Sequence, residues 1–164
     1  MTIQVKDYEQ SVTERAKTLS LPEPTGISIL PRNFFTASSA SELVHEDSAL
    51  TLKSLLRQAH LEFTTFESPE KPFLRAHENH FGWEAPILFV SYAYLSGNPE
   101  ALSVALGVLS NYLTDWLKGL TKSKDVKLSI VVETEYGKRK EVTYSGPVEG
   151  LKDLDSVVKE TFRS

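Results

Sequence analysis

The longest helical signal, over residues 99–120, sets the terms for the rest of the chain. Asn98 supplies a cap, Pro99 takes the first helical position, where its missing N–H is no loss, and Glu100 suits the positive end of the helix dipole. Leu102, Ala105, Leu106, Leu109, Leu113, Trp116, Leu117 and Leu120 recur on one face, and Ala101, Val104, Val108 and Tyr112 widen it. An apolar arc this broad predicts burial on more than one side. Ser103, Ser110, Asn111, Thr114, Asp115 and Lys118 are left for a narrow exposed face, and Gly119 marks the stop. Such a helix must be covered by a second layer, and the β-rich segments around it are the available cover.

The run Ile87-Leu88-Phe89-Val90 after Pro86 reads as a fully buried central strand, with Tyr92 and Tyr94 on one face if it extends that far. Residues 127–134 and 141–144, joined by a turn at Tyr136-Gly137-Lys138, form the clearest hairpin, which Gly146-Pro147 ends. Short strands are expected at 27–30 and 61–66. A helix over 48–60 follows from Leu52, Leu55, Leu56 and Ala59, and a terminal amphipathic helix from Leu151, Leu154, Val157, Val158 and Phe162. Ser39 and Glu42 have capping-box spacing. Val5, Tyr8, Val12, Ala16 and Leu19 recur at three- or four-residue steps and predict a helix over 5–19, ended by Pro22 and Pro24, that packs on the body or on a partner. The expected fold is a single α+β domain over 1–164. It has a mixed β-sheet of about five strands covered by helices, with a C-terminal β-hairpin followed by a helix. Residues 1–22 are a peripheral N-terminal helix and residues 67–82 a long surface loop.

Length supports one domain with a real core, since 164 residues would be cramped as two. With no cysteine, thiolate chemistry and disulfides are excluded. A net charge of −4 argues against a general nucleic-acid binder, and no apolar run is long enough to span a membrane as a helix. The first residues lack the basic start and apolar stretch of a signal peptide, so a cytoplasmic location is expected.

Three constellations merit a chemical test. His77 and His80 stand three apart, with Glu78 between them, and share a helix face if that segment is helical. Metalloprotease chemistry needs histidines four apart, and no cysteine can complete a mixed site. A solvent-facing loop accounts for the pair, so no metal or other cofactor is expected. His45, Glu46, Asp47 and Ser48 hold triad residue types, but no nucleophile elbow accompanies them, and polar residues at a helix terminus account for them equally. Asp115, Glu133, Glu135 and Lys138 could surround a nuclease metal, yet their spacing matches no acid–acid–lysine pattern. Lys122, Lys124, Lys138, Arg139 and Lys140 form the basic concentration of an acidic chain, and no glycine-rich phosphate loop is present. Phe81 and Trp83, beside the 67–82 loop, suit a protein contact, as do Tyr8 and Val12 on the N-terminal stripe.

The segments Leu113-Thr114-Asp115-Trp116-Leu117, Val126-Lys127-Leu128-Ser129-Ile130-Val131-Val132 and Gly137-Lys138-Arg139-Lys140-Glu141-Val142, closing into the helix at 151–158, carry a resemblance. This part, under half the chain, resembles the effector-associated constant component proteins, small accessory α+β domains of bacterial conflict systems. The resemblance implies an accessory partner with no catalytic residues of its own. Together these points lead to a non-enzymatic protein-interaction or regulatory component, with another protein, or a second copy, as partner. The alternative is a metal-assisted hydrolase or nuclease using His77, His80 and acidic residues. A third is a small-ligand binder under the 67–82 loop.

Overall fold

The computed structural model describes residues 2–67, 74–76, 83–118, 125–134 and 136–163. The sheet grows outward from β8 (Asp125–Glu133), whose Val126, Leu128, Ile130 and Val132 alternate with Lys127, Ser129 and Val131. Period-two alternation sends the first set to one face and the second to the other. One edge of β8 pairs antiparallel with β9 (Arg139–Pro147) through a turn in which Gly137 takes φ +75°. The other edge pairs in parallel with β6 (Trp83–Glu84) and β7 (Leu88–Val90).

Glu84 faces Lys127 and Leu88 faces Ile130, so four residue steps on one strand span three on the other. The extra residue makes a bulge around Pro86, which has no N–H to give to the ladder. Beyond β7 come β2 (Ile27–Ile29), antiparallel to it, and then β4 (Phe63–Thr65), parallel to β2. At the far edge β1 (Thr2–Asp7) pairs antiparallel with β9. The order is β1-β9-β8-β7-β2-β4, with β6 added beside β7 to make seven strands. A separate two-stranded ribbon joins β3 (Val44–Glu46) and β5 (Leu74–Ala76) in parallel.

Two helical layers cover this mixed sheet. On one face α2 (Ala49–Gln58), α4 (Ala101–Leu117) and α5 (Leu151–Phe162) bury Ile27, Ile29, Leu88, Val90, Leu128, Ile130, Val142 and Tyr144. On the other, α1 (Val12–Thr18) and the loop carrying Phe34 close over Phe89, Val131 and Phe66. That loop is tied down from within. Arg15 donates through Nε to the Phe34 carbonyl at 2.7 Å and through Nη2 to the Ala37 carbonyl. Asn33 bridges the Glu42 carbonyl at 2.9 Å and the Val44 N–H at 2.8 Å. The mixed α+β architecture, and the strand pair leading into a terminal helix, follow the sequence expectation.

Several boundaries differ, each for a physical reason. Residues 2–7 form a strand because Ile3 and Val5 alternate with Thr2, Gln4 and Lys6. The helix starts only at Val12, where Ser11 Oγ accepts the Glu14 N–H at 3.2 Å. The N-terminal segment is thus a strand plus a short helix, both packed on the body. β5 lies inside the stretch expected to be a long loop. Tyr92 and Tyr94 are not strand residues: Ser91 Oγ accepts the Tyr94 N–H and starts α3 (Tyr92–Gly97). Asn98 ends α3, donating to the Tyr94 carbonyl at 3.0 Å, and so is not the cap of α4. Glu42 uses its carboxylate to hold the Ser38 N–H at 3.0 Å, and Ser39 makes no side-chain cap.

Candidate functional site

The segment His45-Glu46-Asp47-Ser48 is pulled apart by strand alternation. His45 points inward and is 1% exposed, and Glu46 takes the opposite face. Nε2–H of His45 donates to the Phe66 carbonyl at 2.9 Å, since a carbonyl can only accept. Glu46 is gripped by Arg32, whose Nε and Nη2 each lie 2.8 Å from one carboxylate oxygen. Ser48 opens α2 without a side-chain cap bond. Glu67 lies close to His45 and accepts from Lys53 Nζ at 3.0 Å and Thr65 Oγ1 at 3.1 Å. Burial alone would raise the Glu67 carboxyl. The bonds from Lys53 and Thr65, with the charges of Lys53 and His45, outweigh burial and hold it below the usual range. Burial pushes the His45 imidazole below its ordinary value, against the Phe66 bond and the Glu67 charge. This arrangement fastens β3 to the end of β4 and leaves the adjacent acid facing away from the imidazole.

The nuclease-type set is dispersed among structural duties. Glu133 accepts the Tyr92 N–H at 3.3 Å at the start of α3. Asp115 pairs with Lys118 at 3.1 Å on the surface of α4. Among the described residues no group of three or more His, Asp or Glu is placed to hold a metal. His77, His80, Phe81, Lys122, Lys124 and Glu135 lie outside the described residues. The hairpin's basic residues hold the N-terminal segment. Arg139 Nη2 donates to the Glu9 carbonyl at 2.7 Å, and Lys140 Nζ meets Asp7 at 2.5 Å. The Lys140 hydrogen bond and charge lower the Asp7 carboxyl.

The contact candidates fare unequally. Val12 is 1% exposed in the core beneath α1 and offers no surface. Tyr8 is half-buried and stands edge-on to Phe35 at 6.0 Å. Burial and the Glu141 charge push its hydroxyl up to about 12, so it stays a neutral phenol. Trp83 belongs to β6, its backbone paired with Val126.

The surface that sequence reasoning missed is on α4. Its apolar arc is not covered on both sides, for Val104 is 42% exposed and Trp116, expected in the buried stripe, is 43% exposed. Val108 and Tyr112 pack partly against the core between them, so Val104, Val108, Tyr112 and Trp116 form a row of four-residue steps that winds about 120° round the helix. From Ala101 to Thr114 the helix carries no charge. Gly107 is exposed in mid-helix, and a Cβ there would meet nothing within 4 Å. A glycine in a helix interior costs about 1 kcal/mol relative to alanine, and packing among the described residues gives no reason to accept that cost. The signal was present in the sequence as a charge-free stretch from Ala101 to Thr114 with a glycine at its middle. No family model, no curated protein and no solved structure matches the chain.

Proposed function

We propose that the protein is a non-catalytic interaction component that works by docking a protein partner on the exposed face of α4. The observation that carries this reading is the exposed side of α4, uncharged from Ala101 to Thr114, where Val104 stands exposed about 60° round the helix from an unexplained Gly107. Val104 is exposed beside the partly buried Val108 and Tyr112; exposed apolar patches mark contact surfaces, and tyrosine is a frequent anchor of such contacts. The supporting argument from chemistry is that His45, Glu46, Asp115 and Glu133 each have a structural duty. The resemblance of the C-terminal part gives the reading its specific form, an accessory or regulatory component of a bacterial conflict system acting in the cytoplasm.

Val104→Glu tests it, because Val104 is exposed and its replacement leaves the core intact. Two differently tagged copies are expressed in the native host and purified, and co-purifying chains are quantified by mass spectrometry. A partner, self or other, held at fixed ratio by the native chain and lost from the variant is expected. Identical recovery with both chains would overturn the reading.

A further inference from the structure

The exposed meridian of α4 is symmetric in its own sequence. Glu100, Gly107, Asn111 and Lys118 are separated by seven, four and seven residues. At 100° per residue all four fall within about 20° of one line, and the ends lie about five turns and ~27 Å apart. All four are exposed, and the backbone at Glu100 and Lys118 continues the helical conformation at either end. The line is therefore acid, glycine, asparagine, base.

We infer that this face binds a second copy of the chain, with the two α4 helices packed antiparallel about a two-fold axis level with Leu109. This rests on the docking reading of the same face and names its occupant. A two-fold, antiparallel arrangement brings each helix start against the other's end. Glu100 then meets Lys118 of the second copy at both ends, and Gly107 lies against Asn111 of the second copy at the crossing. An isologous contact sets a surface against itself, so a face with one sign of charge would repel its copy. Here the charges are placed to complement each other, and from Ala101 to Thr114 the helix between them is neutral.

Antiparallel helix dipoles add attraction of the same sense. Gly107 lets the backbones approach closely, which accounts for a glycine that nothing among the described residues requires. Val104 and Val108 sit to one side of the line. The two-fold axis sets the corresponding valines of the second copy on that same side, giving one apolar flank. Lys118 already holds Asp115 at 3.1 Å, so in the pair its ammonium lies between two carboxylates.

Sedimentation velocity over a range of concentrations, with charge reversal, tests this. The native chain forms a dimer. Glu100→Lys and Lys118→Glu each weaken it by roughly tenfold, the scale of a rim charge pair broken twice and replaced by repulsion. The double variant Glu100→Lys/Lys118→Glu restores the native constant, which a simple folding defect could not do. Because the chain has no cysteine, single cysteines report geometry cleanly. Asn111→Cys cross-links under mild oxidation, and Ser156→Cys on α5 does not. A chain that stays monomeric at every concentration overturns the inference, as does a dimer indifferent to all three charge variants. If the chain is monomeric but still captures a different protein in a Val104-dependent manner, only the identity of the occupant fails. If neither self-association nor Val104-dependent capture occurs, the docking reading falls with it.

Discussion

At the scale of single residues, the buried polar groups separate structural roles from chemical ones. His45 is neutral in the fold because burial penalises its charge, and its one N–H at Nε2 is committed to the Phe66 carbonyl. Its folded value lies below its ordinary 6.5, so the unfolded chain takes up a proton first as pH falls. The stability this histidine contributes is therefore complete above about 6.5 and is lost as pH falls through the lower folded value. Thermal unfolding followed from neutral to mildly acidic pH should show a falling midpoint. His45→Gln, which keeps an N–H donor but does not titrate, should flatten that fall. Equal slopes for both proteins would remove His45 as the cause. Tyr144 offers a second check: it is fully buried, and its hydroxyl donates to the Pro147 carbonyl at the end of β9. Tyr144→Phe keeps the ring and deletes the bond, and should cost about 1 kcal/mol in denaturant unfolding. None of these partners was visible in the sequence, because each bond joins a side chain to a backbone carbonyl whose position only the fold decides.

At the scale of elements, two glycines should respond oppositely to alanine. Gly26 has φ +65°, and a Cβ there would sit 2.1 Å from the Glu62 carbonyl oxygen, where β2 and β4 begin to pair. That oxygen also accepts the Ile27 N–H at 3.0 Å, so neither strand can move aside without losing the ladder. Gly26→Ala should destabilise by about 1–3 kcal/mol from strained backbone alone, with the clash adding to it. Gly107→Ala should stabilise the monomer by about 1 kcal/mol, the helix propensity difference, because the space is open. Denaturant midpoints of the two variants read both signs. The same contrast shows what a sequence reveals about its elements. β8, β9, α2 and α5 were legible because their alternation or stripes are strong and uninterrupted. The N-terminal strand was not, because Val5, Tyr8 and Val12 fit three- and four-residue steps as well as Ile3 and Val5 fit alternation. The Ser11–Glu14 cap was the signal that separates the two. On α4 the apolar pattern predicted more burial than occurs, since hydrophobicity reports a tendency to be covered and not what does the covering.

At the scale of the molecule, β8 is the strand on which the others depend. It pairs with β9 along its whole length, with β6 and β7 on the other edge, and its residues 128–132 are buried between the two helical layers. β1, by contrast, is an edge strand with five of its six residues exposed, held mainly by backbone bonds to β9 and by the Lys140–Asp7 and Lys6–Glu141 pairs. The β1 partners Lys6 and Asp7 stand largely in solvent, where such pairs contribute little, roughly 0–1 kcal/mol each, so β1 can detach while β8 and β9 remain paired. Amide exchange should therefore divide the sheet: amides of residues 128–132 open only with global unfolding, and those of β1 by a cheaper local event. Raised salt should speed exchange in β1, by screening its ion pairs, and leave β8 unchanged. Peptide-resolved exchange by mass spectrometry at low and high salt separates the two, and equal protection of β1 and β8 would mean that the edge is bound into the global unit. The α4 face adds a further constraint, because it lies on the layer opposite α1 and away from the β1 edge. Pairing through α4 would leave β1 exchange untouched while slowing amides at the centre of α4, so one exchange map taken below and above the association midpoint tests the scaffold and the docking face together.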